Sequence, residues 1–312
     1  MTGAAYFVDA FDGHRIAVRR HDPVTVPRAA IVVSHGMAEH GERYAPLAEF
    51  LGRHGFVVYT LDHRGHGRSI HRPEDTGHFA DPIHGEDGWA RVVSDLHHVI
   101  QHVRAAQPTL PLVLFGHSMG SFIAQATTIA HGRSIDALVL SGSNHDSPAL
   151  YRAARAIARL EKLRQGPRGK SALLEYLSFG AFNKPFRPAR TGYDWLSRDP
   201  AAVDKYVADP LCGFRVSNQL WIDLLGGLIA ISQVKNLANM PHNLPVYLFG
   251  GDRDPVGRYG KGLPQLERKL REAGLRNVTT RLYEQGRHEM LNETNRDEVL
   301  ADLRSWLDRT LR

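Results

Sequence analysis

The stretch LPLVLFGHSMGSFIAQATTIA, from Leu110 to Ala130, changes character abruptly at its centre. Strand-type Leu112-Val113-Leu114-Phe115 runs into Gly116-His117-Ser118-Met119-Gly120, and a helix-type run follows with no loop between them. Gly116, Ser118 and Gly120 fit G-x-S-x-G, the pattern of a strained strand-to-helix turn that pushes a serine hydroxyl into the open. Glycines flank such a serine because side chains there would collide with neighbouring backbone. The helix that follows aims its first N–H groups at the same spot. Ser118 as a simple helix N-cap is the plainer reading, but a cap does not require both glycines.

Outward from this turn the chain alternates. AAIVVSHG and FVVYTLD are short apolar runs of the kind that form strands buried on both faces. Between them RYAPLAEFLGRHG has helical spacing and a glycine stop at Gly55. GWARVVSDLHHVIQHVRAA sets Val92, Leu96, Val99 and Val103 along one helix face. IDALVLSG, LPVYLFGGDRD and VTTRLYE supply further strands, with helices near residues 262–273 and from about Arg296. YFVDAFDGHRIAVRRHD reads as a hairpin turning at the favoured pair Asp12-Gly13. This rhythm predicts a mostly parallel, doubly wound α/β sheet covered on both faces.

Between Ser143 and Leu244 the rhythm breaks into helical stretches: SPALYRAARAIARLEKLR, KSALLEYLSF, DPAAVDKYVADP and SNQLWIDLLGGLIAIS. We therefore expect a core of residues 1–143 and 244–312, with residues 144–243 a helical cap, or lid, inserted between two strands.

Composition narrows the class. The chain of 312 residues is 42% hydrophobic and 23% charged, as a globular protein is, and no apolar run approaches the roughly 18 residues of a spanning helix. Asp9 and Asp12 stand where a signal peptide would need an apolar core. The single cysteine, Cys212, forbids an internal disulfide and fits a reducing cytoplasm; it reads as packing. A net charge of +6 without a zinc-finger or RNA-binding motif points away from nucleic acid.

A serine hydroxyl needs an adjacent base, and in this topology an acid and then a histidine should follow it in the chain, each on a loop after a strand. After VYLFG the chain reads Gly250-Gly251-Asp252-Arg253-Asp254-Pro255, and after TTRLYE it reads Gly286-Arg287-His288-Glu289. Asp254 is the favoured acid. Its rival Asp252 reads as a turn former whose side chain bonds nearby backbone. His288 is the expected base, and Glu289 reads as a solvated charge. An oxyanion hole should take one N–H from Met119, after the serine, and one from Met37, which follows His35-Gly36 in the loop after the IVV strand. His35 reads as a shaper of that loop.

HGMAEHGERY, LDHRGHGRS, GHSMGS, GGDRDPV and GRHEMLNE, in this order, resemble the monoacylglycerol lipase and lysophospholipase group of serine α/β-hydrolases. The resemblance implies Ser118 as nucleophile, Asp254 as acid, His288 as base, Met37 and Met119 as oxyanion donors, and a lid over an acyl-binding pocket. It spans the sheet-forming parts of the chain, while the lid region does not closely match.

In LDHRGHGRS, Asp62, His63 and His66 read better as a glycine-turned loop supporting the site than as metal ligands, and no metal or cofactor is expected. In the first lid helix, Arg152, Arg155, Arg159 and Lys162 lie on one side, with Leu150, Ala154, Ile157 and Leu160 roughly opposite. A solvated basic face over a packed apolar one is the favoured reading; a helix resting on an anionic bilayer is the other. LWIDLLGGLIAI fits either an acyl tunnel or lid core, and Trp195 and Trp221 read as packing.

The expected activity is hydrolysis of carboxylic esters, monoacylglycerols or lysophospholipids, through an acyl-enzyme. The rivals are another serine hydrolase on this fold (a thioesterase or peptidase) and a ligand-binding relative without turnover. The expected partner is a small lipid or ester substrate.

Overall fold

Each apolar run becomes a strand. In the computed structural model, which describes residues 2–81 and 87–311, β1 (Thr2–Asp9), β2 (Arg15–His21), β3 (Ala29–Ser34), β4 (Phe56–Leu61), β5 (Leu112–His117), β6 (Ala137–Ser141), β7 (Val246–Gly251) and β8 (Val278–Tyr283) form one sheet. Their order across it is β1-β2-β4-β3-β5-β6-β7-β8. β1 and β2 are antiparallel to their neighbours, and every pairing from β4 to β8 is parallel. The expected hairpin forms, but its loop is wider than a two-residue turn. Asp9 pairs with Arg15, and the Ala10 N–H donates to the His14 carbonyl.

Helices close both faces because strand side chains alternate. On one face Ala30, Val32, Leu112, Leu114, Leu138 and Leu140 share a core with α2 (Gly88–Ala106) and α3 (Met119–His131). On the other, Ile31, Val33, Val113, Phe115 and Phe249 pack with α1 (Ala45–Gly52) and with Trp306 and Leu307 of the C-terminal helix. Completely burying a side chain such as Leu114 is worth about 1.5–3 kcal/mol, so the central strands anchor whatever their ends carry.

Between β6 and β7 lie α4 (Pro148–Gln165), α5 (Ala172–Glu175), α6 (Pro200–Ala208), α7 (Asn218–Ile231) and α8 (Val234–Leu237). After β7 come α9 (Gly262–Glu272), β8 and α10 (Arg296–Thr310). α7 is core in this structure: Leu220, Ile222, Leu224, Leu225, Leu228 and Ile231 are buried in the same cluster as α2 and α3.

The face assignment of α4 needs correction. Leu150, Ile157, Leu160 and Leu163 are 55, 37, 65 and 83% exposed, while Ala158 is fully buried. The helix turns its small residues toward α7. Arg155 and Lys162, expected in solvent, reach across that contact to the Ile222 carbonyl (3.0 Å) and the Gln219 side-chain oxygen (2.7 Å). A long basic side chain satisfies a neighbouring carbonyl where a leucine offers only bulk. The outer face therefore mixes leucines with the exposed Arg152 and Arg159.

Among the described residues, no helix is long and apolar enough to cross a membrane.

Candidate active site

Strand register gathers the singled-out residues. Ser34 of β3 is level with Gly116 of β5, His117 with Ser141 of β6, Ser141 with Phe249 of β7, and Gly251 with Tyr283 of β8. The loops carrying Met37, Ser118, Asp254 and His288 therefore all leave the same edge of the sheet, at the carboxyl ends of its strands, where open α/β sheets place their ligands.

Ser118 sits at φ 51° and ψ −123°, outside any comfortable region for a residue with a Cβ. Such strain costs about 1–3 kcal/mol and persists only where the surroundings impose it. Here they do: the Ser118 N–H donates to the Ser141 carbonyl at 2.9 Å, and the Ser121 hydroxyl donates to the Ser118 carbonyl at 2.6 Å. The flanking glycines are obligatory. A Cβ on Gly120 would lie 2.1 Å from the Ser34 carbonyl oxygen, and one on Gly116 2.6 Å from that of Gly120. Ser118 remains half-buried, whereas His117 and Met119 on either side of it are buried.

Asp254 and His288 meet. The imidazole Nδ1 lies 3.0 Å from Asp254 Oδ2, and both side chains are nearly inaccessible. Burial drives the imidazole toward neutrality, but the Asp254 carboxylate, with Glu289 and Glu39 behind it, outweighs that effect and raises the His288 pKa. Asp252 makes no contact with His288, and the turn-forming role expected of it belongs to Asp254, whose Oδ1 accepts from the Val256 N–H at 2.8 Å. Asp252 Oδ1 is instead buried without a hydrogen-bond partner. His288 packs 5.0 Å from the Trp195 ring and 4.7 Å from the His117 ring. Among the described residues, Ser118 and His288 share no hydrogen bond; such contacts commonly tighten only when substrate arrives.

The loop of Met37 is held by His35. The His63 N–H donates to His35 Nε2 at 2.9 Å, so the ring proton is on Nδ1, which donates to the Gly36 carbonyl at 2.7 Å. In a trans peptide N–H and C=O point oppositely, so pinning the Gly36 carbonyl also aims the Met37 N–H. The Met119 N–H, first in α3, has no intrahelical acceptor. Asp62 supports the loop from beneath, accepting from the N–H groups of Gly41 and Arg68 at 2.8 Å each while pairing with Arg19.

These features belong to a known lineage, for the family model described as "Serine aminopeptidase, S33" matches residues 25–295. The chain belongs to this hydrolase family. A monoacylglycerol lipase from Mycolicibacterium smegmatis is 30% identical over 95% of this chain and 93% of its own. A monoglyceride lipase from Rattus norvegicus is 29% identical over 95% of this chain and 88% of its own. A thermostable carboxyl esterase from Bacillus coagulans, solved in complex with glycerol, superposes with a TM-score of 0.89 at 28% identity, covering all of both chains.

One expectation fails in this family member. Glu289 is not solvated but 5% exposed, forming a two-pronged ion pair with Arg43 at 2.8 and 2.7 Å. Arg43 also pairs with Glu39, whose other oxygen accepts from the Gly36 N–H and the Tyr44 hydroxyl. Although burial alone would raise both carboxyl pKa values, Arg43 holds each of them low, that of Glu39 at about 2. Reading residues singly missed this group. Its only local signal is the Glu39–Arg43 spacing of four, with Glu289 far off in the chain.

Four imidazoles beneath the hydrolase's site are buried and neutral. Burial depresses His66 to about 3 and His117 to about 4, and lowers His35 and His63. Unfolded histidines titrate near 6.5, so their share of stability is complete above that pH. Below it the unfolded chain takes up protons that the fold refuses. His288, with its raised pKa, and Asp223, whose carboxyl burial pushes up to about 7, run the other way, outnumbered by these four together with His14 and His97, each lowered by burial to about 4. Calorimetry from pH 8 to 5 should therefore show a melting temperature that falls below pH 6.5, each group costing on the order of 1 kcal/mol per pH unit. A flat profile would mean these rings accept protons in place.

Proposed function

We propose that the protein cleaves carboxylic esters, monoacylglycerols foremost and lysophospholipids next, through an acyl-Ser118 intermediate. The observation that carries this reading is the Asp254–His288 pair, presented at the same sheet edge as the strained Ser118. Asp254 accepts a hydrogen bond from Nδ1–H, which leaves the Nε2 lone pair to take the Ser118 proton as Oγ attacks the ester carbonyl. The N–H groups of Met37 and Met119 hold the resulting oxyanion. Collapse breaks the C–O bond to the alcohol, which leaves with the proton from His288. Water, deprotonated by the same nitrogen, then attacks the acyl-serine; the acid departs and Ser118 recovers its proton.

Two features support the substrate class. Relatives along nearly the whole chain are named as monoacylglycerol lipases. The helices between β6 and β7 serve, in this reading, as the lid, and the exposed leucines and arginines of α4 suit contact with an anionic lipid surface that delivers substrate. An aminopeptidase would need a free carboxylate for the substrate's ammonium, whereas Glu39 and Glu289 are both committed to Arg43. A cytoplasmic setting completes the reading, supported by the lone cysteine.

A panel of monoacylglycerols of graded chain length, lysophospholipids, thioesters and peptide anilides tests it, with and without anionic vesicles. Glyceride turnover should exceed peptide turnover by orders of magnitude, and vesicles should raise it. Preferential peptide cleavage would overturn the assignment.

A further inference from the structure

The loop bearing Met37 is clamped on its far side by the segment between β6 and β7. Ala38, immediately after Met37, has φ 53°, a left-handed conformation that an alanine adopts only under constraint. Its carbonyl accepts two hydrogen bonds from one short stretch: the Tyr206 hydroxyl at 3.0 Å and the Gly213 N–H at 2.9 Å. The same N–H lies 3.1 Å from the Tyr206 oxygen, so the three groups form a closed set. Two residues further on, His40 Nε2 lies 2.9 Å from Asp209 Oδ2, and Asp209 Oδ1 accepts from the Leu211 N–H at 2.8 Å. Ala38, His40 and Tyr206 are all buried. The Arg43 guanidinium lies over the Tyr206 ring, 4.8 Å from its centre, joining this brace to the Glu39–Arg43–Glu289 group.

The loop is therefore gripped on both sides of Met37. On the sheet side, His35 pins the Gly36 carbonyl and Glu39 accepts the Gly36 N–H. On the other, Tyr206 and Gly213 pin the Ala38 carbonyl. Two fixed peptide planes leave the Met37 N–H little rotational freedom, and a backbone donor is catalytically useful only when aimed in advance at the place where negative charge develops.

We infer that Tyr206, assisted by the His40–Asp209 pair, is a positioning residue for the oxyanion site, so that the inserted helical segment completes the catalytic apparatus as well as covering it. The inference rests on the reading of the Met37 N–H as an oxyanion donor. It also predicts coupling: any movement that lifts residues 206–213 releases Ala38 and loosens the oxyanion hole, so full activity requires this stretch to be seated.

Tyr206→Phe tests it, since the ring and its packing stay while the hydroxyl goes. Turnover of a water-soluble short-chain nitrophenyl ester should lose roughly tenfold in kcat with KM within about twofold, the expected result of misaiming a group without removing it. Affinity for a trifluoromethyl ketone, which forms a tetrahedral adduct with the serine, should weaken by a similar factor. Affinity for the matching methyl ketone, a ground-state mimic, should not move. General loosening of the fold would weaken both ketones together, and that outcome, or an unchanged trifluoromethyl ketone affinity, overturns the inference. Should Tyr206→Phe fail to fold, Asp209→Ala carries the same expectation. Failure of the underlying reading looks different: wild-type protein would not prefer the trifluoromethyl ketone, or Ser118→Ala would keep that preference.

Discussion

Ser118→Ala should lower ester turnover by roughly five to six orders of magnitude and abolish labelling by a fluorophosphonate probe, while the protein stays folded. The effect should be this large because the nucleophile forms the bond on which every later step depends. Folding should be spared because the substitution keeps the Cβ and the strained turn, which is held by backbone bonds to Ser141 and by Ser121 rather than by the serine oxygen. Unchanged thermal melting with lost turnover is the expected pair of results. Retention of a few percent of kcat by carefully purified variant would place the nucleophile elsewhere and remove the mechanism.

Asp254→Asn should cost about four orders of magnitude in kcat. The carboxylate accepts the Nδ1 proton of His288, whereas an amide can turn its N–H toward that nitrogen and shift the ring proton to Nε2, the position that must act as base. Residual activity should carry a second signature. In the wild type, burial pulls the His288 pKa down and the Asp254 carboxylate, together with Glu289 and Glu39, more than restores it, so activity should climb with pH above the ordinary histidine value. Without the carboxylate, burial is opposed only by the more distant charges of Glu289 and Glu39, and the acid limb of the pH–rate profile should move to lower pH. Asp252→Asn is the matched control, because its side chain is 37% exposed and touches no histidine. It should change kcat by less than about twofold; a large loss there with none at Asp254 would reverse the assignment.

How much of this was readable in advance depends on the reach of each interaction. The turn around Ser118 is local: a strand-type run, two glycines and a helix-type run, all within bond-length reach of one another, leave few alternatives. The strands followed from their apolar runs, and the parallel sheet from the alternation, because periodicity reports which side of an element meets water. Asp254 and His288 were singled out through the order of loops after strands, and the structure brings their side chains together. The choice between Asp252 and Asp254 rested on a turn preference that the structure assigns to the other residue.

Glu289 and α4 were misread for a common reason. A single glutamate beside a histidine reads as solvated unless its partner is known, and Arg43 stands 246 positions away. α4 offers arginines on one side and leucines on another, but which side is covered depends on where α7 lands. The brace on Ala38 was equally silent, since nothing near Tyr206 announces that its hydroxyl will meet a carbonyl 168 positions earlier.

The sequence by itself determined the sheet, the strained serine and the loops that carry Asp254 and His288, since each follows from residues that are neighbours or from a period of two or 3.6. Only the tertiary structure decided which charges are neutralised in the interior, which face of α4 meets water and what steadies the loop of Met37. Those outcomes depend on desolvation and pairing between segments that meet only after folding, and a linear pattern carries no record of who the partner will be.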